Sequence, residues 1–191
     1  MKKTILPAIY LTLFMTVFTG LLYPVVMTGI AQVVFPKQAN GSLIEIGGKV
    51  VGSKLIGQDF TSDKYFWPRP SAIGYDPLPS GGSNYGPTSD TLEKLVEMRK
   101  TDFIRLNNLP PSTQVPSDML YASGSGLDPD ISPESAELQI DRVARARGFD
   151  SVQTQDLRKL VQDHIEGREL GLFGERRVNV LMLNIALDSL K

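Results

Sequence analysis

The side chains able to do chemistry fall into a few short strings. Ser123, Gly124, Ser125 and Gly126 place two hydroxyls in a glycine turn, which resembles the setting of a nucleophile. A nucleophilic serine needs a base within hydrogen-bond reach. The chain has one histidine, His164, far downstream on a predicted apolar helical face, and the turn lacks the G-x-S-x-G spacing of a nucleophile elbow. A structural histidine is therefore expected. Asp128, Asp130 and Glu134 offer oxygen ligands for a cation, but the later Gly and Glu of a calcium loop are missing. Asp130 and Glu134 also suit the start of a helix after Ser132, where the dipole favours negative charge. Ser80, Gly81, Gly82 and Ser83 form a glycine-rich run able to cradle a phosphate, yet no P-loop lysine follows. Thr61–Lys64 and Thr91–Lys94 lack the serine of a Ser–Lys pair.

Two further strings suggest contact rather than catalysis. Tyr65, Phe66, Trp67, Pro68, Arg69 and Pro70 gather aromatics around an arginine fixed between prolines. Trp, Tyr and Arg dominate interface hot spots, but aromatics under a long loop also close a core; both readings stay open. Arg142, Arg145 and Arg147 suggest a solvated basic stripe, with Glu137 and Asp141 near enough for local ion pairs.

The elements that must position these residues form an α+β domain with more helix than strand. Ser42–Ile46 and Lys49–Ile56 read as strands joined at Gly47-Gly48, a pair suited to a hairpin turn. Residues 59–87 cannot be regular helix, because Pro68, Pro70, Pro77, Pro79 and Pro87 interrupt any run. A helix is expected from Asp90, with Glu93 three residues on as a capping box and Leu92, Leu95 and Val96 as its stripe. A second begins at Ser132-Pro133, carries Ala136, Ile140, Val143 and Ala144 on one face and stops at Gly148. A third runs from Thr154 to a stop at Gly167, with Leu157, Leu160, Val161, His164 and Ile165 at helical spacing. Residues 178–190 fit either a helix or a buried strand, and length favours the helix.

Composition narrows the class. Of 191 residues, 41% are hydrophobic and 21% charged, and the net charge is −1. No basic excess points to nucleic acid. The absence of cysteine removes disulfides, thiolate chemistry and cysteine-bound metals. Residues 4–36 carry no charge, well beyond the roughly 20 apolar residues that cross a bilayer. The run is too long for a signal-peptide core, so an uncleaved anchor over residues 1–36 is expected, followed by one soluble domain over residues 37–191. With Lys2 and Lys3 on one flank and Lys37 and Lys49 on the other, the immediate flank places the N-terminus inside and the domain outside. Gly20, Pro24 and Gly29 are tolerated in a span and invite a kink. Gly20 and Gly29 also allow a neighbouring helix close approach. The run has no Asp, Glu, Lys, Arg or His, so it makes no ion path by itself.

Several strings in order resemble the C subunit of the bacterial Kdp potassium-transporting ATPase. They are 51–58 (VGSKLIGQ), 65–72 (YFWPRPSA), 80–87 (SGGSNYGP), 115–118 (VPSD), 122–128, 131–133 (ISP), 142–148 (RVARARG) and 177–188. The resemblance runs nearly end to end and includes the single N-terminal span. The chain departs from it at Asp130, where the family often has histidine, so any metal or proton role of that histidine does not carry over; Tyr85 and Tyr121 also replace commoner choices. The resemblance implies a non-catalytic accessory subunit in the bacterial inner membrane, beside a channel-like potassium-binding subunit, a P-type ATPase subunit, a very small single-helix subunit and lipid. It implies help with assembly and, as a catalytic chaperone, a higher ATP affinity of the pump. No cofactor is held firmly; ATP and potassium belong to the complex. Ser80, Gly81, Gly82, Ser83 and Gln139 are the nucleotide candidates, ruled out if the domain lies outside. Tyr65, Phe66, Trp67, Arg69, Gly20 and Gly29 are the partner-contact candidates. The competing expectations are an anchored extracytoplasmic binding module, or a hydrolase using Ser123 or Ser125 with His164.

Overall fold

The apolar N-terminal run folds as one long helix. The computed structural model describes residues 2–190, so the first and last positions of the expected domain bounds lie outside the described residues. Helices α1 (Lys2–Val17) and α2 (Tyr23–Val34) are joined by a widened π turn at Phe18–Leu22. Pro24 explains the turn. Proline has no N–H to donate and clashes with the carbonyl four residues back, which is that of Gly20. The ladder widens there, and the Tyr23 N–H reaches back to the Phe18 carbonyl. The stretch Thr4–Val34 is long and apolar enough to cross a membrane, and none of its apolar window is buried within the chain. Gly20 and Gly29 have open space around them.

The chain divides into two compact units, one through Val51 and the other from Gly52. The first also holds a short helix, α3 (Pro36–Ala39), and the first of two paired strands, β1 (Leu43–Ile46). Its partner β2 (Lys49–Ser53) follows a turn in which Gly47 and Gly48 have φ of 58° and 78°. Positive φ at both central residues defines the hairpin turn whose twist matches its strands. β2 ends at Ser53 rather than Ile56, since residues 54–56 turn away, with the Ile56 N–H bonded to the Ser53 carbonyl.

The second unit is built from helices α4 (Asp90–Asn107), α5 (Ser117–Leu120), α6 (Pro133–Glu137), α7 (Ile140–Arg147), α8 (Ser151–Asp163) and α9 (Val180–Ser189). A small antiparallel sheet accompanies them: β3 (Asp130–Ile131), β4 (Ile165–Glu166) and β5 (Arg177–Asn179), with β5 in the middle. Val178 faces both Ile131 and Ile165 across the ladder. The core joins Ile140 and Val143 of α7, Leu157 and Val161 of α8, Leu183 and Leu187 of α9, Val178 and Phe66. Each of these is fully buried.

Local chemistry sets the helix ends, and here the sequence expectations need correction. Ser89, not Asp90, caps α4, accepting from the Leu92 N–H. Asp90 then lies in the first turn, where its charge faces the dipole. The expected helix from Ser132 to Gly148 is two helices, because the chain relaxes at Leu138-Gln139; Gly148 does close the second with φ of 70°. The helix expected at Thr154 starts at Ser151, since Asp150 and Gln153 form a reciprocal capping box. It ends at Asp163, before Gly167, because His164 leaves helical geometry as the C-cap. Residues 177–190 serve as both strand and helix. The switch is at Asn179, whose side chain accepts from the Met182 N–H. Residues 59–87 contain no helix or strand, as the prolines required.

Candidate functional site

The long loop is held down by side chains, and buried polar groups of the domain do the holding. Asn184 on α9 accepts from the Phe66 N–H at 2.8 Å and donates to the Phe66 carbonyl at 3.0 Å. Gln139 does the same to Trp67, at 2.7 Å and 3.2 Å. Two adjacent loop residues thus pair with carboxamides as they would with a neighbouring strand. An unpaired buried backbone group costs about 1–3 kcal/mol, so the carboxamides replace a missing ladder.

Arg142 completes the clamp. It is 1% exposed, which overturns the expectation of a solvated stripe. Its Nε donates to Asn107 Oδ1, its Nη1 to the Asp63 and Tyr65 carbonyls, and its Nη2 to Gln139 Oε1, all within 2.7–3.0 Å. The guanidinium carbon lies 3.5 Å from the centroid of the Trp67 ring, an attraction strengthened by desolvation. Burial pulls the guanidinium down to about 10, so it remains charged at neutral pH. All four hydrogen-bond acceptors are neutral oxygens. Arg147, on the same helix, donates to the Lys64 carbonyl and to Asp188, and lies over the Tyr65 ring. The Tyr65 hydroxyl donates to the other Asp188 oxygen at 3.1 Å.

Beyond the clamp, Arg69 separates two concavities. One, of about 380 Å³, is lined by Trp67, Tyr75, Arg99, Phe103 and Met119, among others. The other, of about 360 Å³, is lined by Arg69 with Asp118, Asp128, Asp130, Arg176 and Arg177. Arg69 Nη1 pairs with Asp128 at 2.6 Å, and its Nε is buried without a partner among the described residues. Burial pushes the Asp130 carboxyl up, against an Asn179 hydrogen bond and the Arg177 charge. Burial also pushes the Tyr75 phenol well above its ordinary value. Asp118 accepts from the Ser132 N–H and from the Ser132 and Ser135 hydroxyls, which fixes the start of α6. Asp128, Asp130 and Glu134 therefore serve an arginine, a strand and a helix start respectively.

The candidate residues separate accordingly. Phe66 is fully buried in the core, where it closes the domain. Tyr65, Trp67 and Arg69 are half-buried. Ser80 and Ser83 are exposed, and the Gly81 N–H donates to the Ser125 carbonyl, so this loop packs on the Ser123–Gly126 turn. Gln139 is fully buried, with its carboxamide committed to Trp67, Ser135 and Arg142; it offers a nucleotide nothing. The Ser123 and Ser125 hydroxyls accept from the Gly126 and Leu127 N–H groups. His164 instead caps α8 with its Nδ1 on the Leu160 carbonyl, and no bond joins it to either serine among the described residues. Sequence reasoning missed Asn107, Arg142 and Asn184. Their signal was polarity at core positions of an apolar stripe, seen when Arg142 is placed beside Val143 and Ala144.

These features define a single-span membrane-anchored α+β protein whose buried polar chemistry holds one loop against three helices. The chain belongs to the KdpC family, described as K+-transporting ATPase, c chain, whose model matches residues 5–189. It is 50% identical over 192 residues to the potassium-transporting ATPase KdpC subunit of Mycobacterium tuberculosis, covering 100% of both chains. It is 51% identical over 205 residues to the KdpC subunit of Rhodopseudomonas palustris, again with 100% of both covered. The KdpC subunit of Geobacter metallireducens is 52% identical over 188 residues, 96% of each chain.

Proposed function

We propose that this chain is an accessory, non-catalytic subunit of an ATP-driven potassium uptake complex. It assembles with a channel-like potassium-binding subunit, a P-type ATPase subunit and a small single-helix subunit. The observation that carries the reading is the family match, which spans both the apolar helix and the clamped domain. The span supports it: with no Asp, Glu, Lys, Arg or His between Thr4 and Val34, it anchors and packs but carries no ion. Gly20 and Gly29 give a partner helix room.

In this reading the N-terminus is cytoplasmic and the domain extracytoplasmic, above the channel-like subunit. ATP is then out of reach. A rise in the pump's ATP affinity is a coupling free energy transmitted through the membrane subunits, requiring contacts that differ between pump states. Two experiments test the proposal. Co-expression of the subunits and capture on this chain is expected to recover the complex, with potassium-stimulated ATP hydrolysis lost when the chain is omitted; full activity without it would overturn the role. A Ser125→Cys variant of this cysteine-free chain is expected to react with a membrane-impermeant thiol reagent in intact cells. Reaction only after lysis would reverse the orientation and restore direct access to ATP.

A further inference from the structure

The larger concavity beside Arg69 has charges left over. Its wall carries Asp59, Arg69, Arg99 and Asp102. Arg69 is paired with Asp128, and Asp102 with Arg105 at 2.8 Å. Arg99 and Asp59 have no ion pair among the described residues. Arg99 is half-buried and bonds only through Nη1, which donates to the Leu120 carbonyl at 2.8 Å, so most of its donors are unused. Burial pulls its guanidinium below the ordinary value, and no carboxylate offsets that. A partly buried charge without an opposite partner is poorly compensated. Asp59 accepts no hydrogen bond among the described residues, and its charge acts on the Tyr75 phenol.

Much of the remaining wall is aromatic, with Phe60, Trp67, Tyr75 and Phe103. Tyr75 is held at φ of 61°, a left-handed conformation that costs a bulky residue energy. Its hydroxyl donates to the Arg69 carbonyl and its N–H to Ser71 Oγ, which fixes the ring. Strain of this kind collects at ligand clamps. Trp67 already carries the Arg142 guanidinium 3.5 Å from its ring centroid. A second cation is therefore better served by Phe60 and Tyr75, where the Asp59 charge adds to the attraction of the rings.

The leftover charges and the rings select a ligand of both signs. A guanidinium with unused donors suits a carboxylate. Aromatic faces with one carboxylate suit an alkylated ammonium, which has few or no N–H groups to satisfy; a primary ammonium keeps its donors, and ring faces serve those poorly. A volume of about 380 Å³ lies at the small end of the range for small-molecule sites. We propose that this concavity binds a small betaine-type zwitterion, with its carboxylate on Arg99 and its alkylated ammonium against Asp59, Phe60 and Tyr75.

Trp67 is the chain's one tryptophan, so its fluorescence reports occupancy directly. Titration of the purified full chain with trimethylglycine is expected to give a saturable change in emission, with calorimetry as the second readout. Asp59→Asn and Arg99→Gln are each expected to weaken binding at least about tenfold, equivalent to about 1.4 kcal/mol. Asp59→Asn breaks no hydrogen bond or ion pair among the described residues, so its melting temperature is expected to match that of the unaltered chain. Arg99→Lys, which keeps the charge, is expected to recover part of the affinity lost in Arg99→Gln. L-valine, an isomer of trimethylglycine with a primary ammonium, and 3,3-dimethylbutyrate, the same shape without the positive charge, are expected to bind at least about tenfold more weakly. No saturable signal by either readout, equal binding of either comparison compound, or unchanged affinity in Asp59→Asn and Arg99→Gln would each overturn the site, while leaving the accessory role intact.

Discussion

Arg142 shows how much one side chain can be asked to hold. A charge with 1% exposure is stable only if its donors are matched. Here four neutral oxygens and the Trp67 face share it. Arg142→Ala takes the donor from Asn107 Oδ1 and the Asp63 and Tyr65 carbonyls, while Gln139 Oε1 keeps the Trp67 N–H, and chemical denaturation is expected to show a loss of about 1–3 kcal/mol for each buried oxygen left unpaired. Arg142→Lys keeps the charge but not the planar fork that reaches loop and helix together, so it should recover only part of the loss. Glu166 is a smaller case with a pH signature. Hydrogen bonding from Lys54, with help from the Lys54 and Arg177 charges, holds its carboxyl below the usual range. A carboxyl lowered in the folded state stabilises above its unfolded pKa and loses that effect as pH falls through the folded value. Glu166→Gln is therefore expected to lower stability at neutral pH by at most about 1 kcal/mol, since the pair is partly exposed. The gap to the unaltered chain should close as the solution is acidified below the ordinary glutamate value of 4.5.

At the scale of elements, the clamp makes a loop behave like a strand. The Phe66 and Trp67 amides are bonded to carboxamides from α9 and from the residue before α7. Their hydrogen exchange is expected to be as slow as that of the α8 core amides and to speed up selectively in Asn184→Ala and Gln139→Ala. Rapid exchange of both in the unaltered chain would show that the loop opens independently of the core. This arrangement also explains what the sequence let one read. The prolines of residues 59–87 announced irregular backbone, and Pro133 and Gly148 marked their helix boundaries, because each acts through its own dihedral angles. Asp150 was less legible than Thr154, since a capping box shows only when both members are placed together. The fate of Arg142 was not legible at all. Its partners lie up to 79 residues away along the chain, and local pattern carries no information about such contacts. The same limit left Phe66 open between interface and core and left residues 178–190 ambiguous, where Asn179 divides strand from helix. Gly57 was legible only as part of a family string. In the structure an added Cβ would lie 2.5 Å from the Asp128 backbone oxygen, so Gly57→Ala should destabilise the loop packing by about 1–3 kcal/mol.

For the molecule as a whole, the order of the small sheet has a temporal meaning. β5 sits between β3 and β4, and α9 directly after it supplies Leu183, Asn184 and Leu187 to the core and the clamp. Among the described elements of the domain, the last to be synthesised is thus its keystone. The apolar helix leaves the ribosome before the domain, and the domain behind it stays unlocked until residues 177–187 have followed. A chain ending at residue 176 is expected to yield no protease-resistant domain, whereas a two-residue C-terminal trim should. In the proposed orientation, with the domain extracytoplasmic, a nascent chain that cannot lock early remains threadable until it has crossed the bilayer.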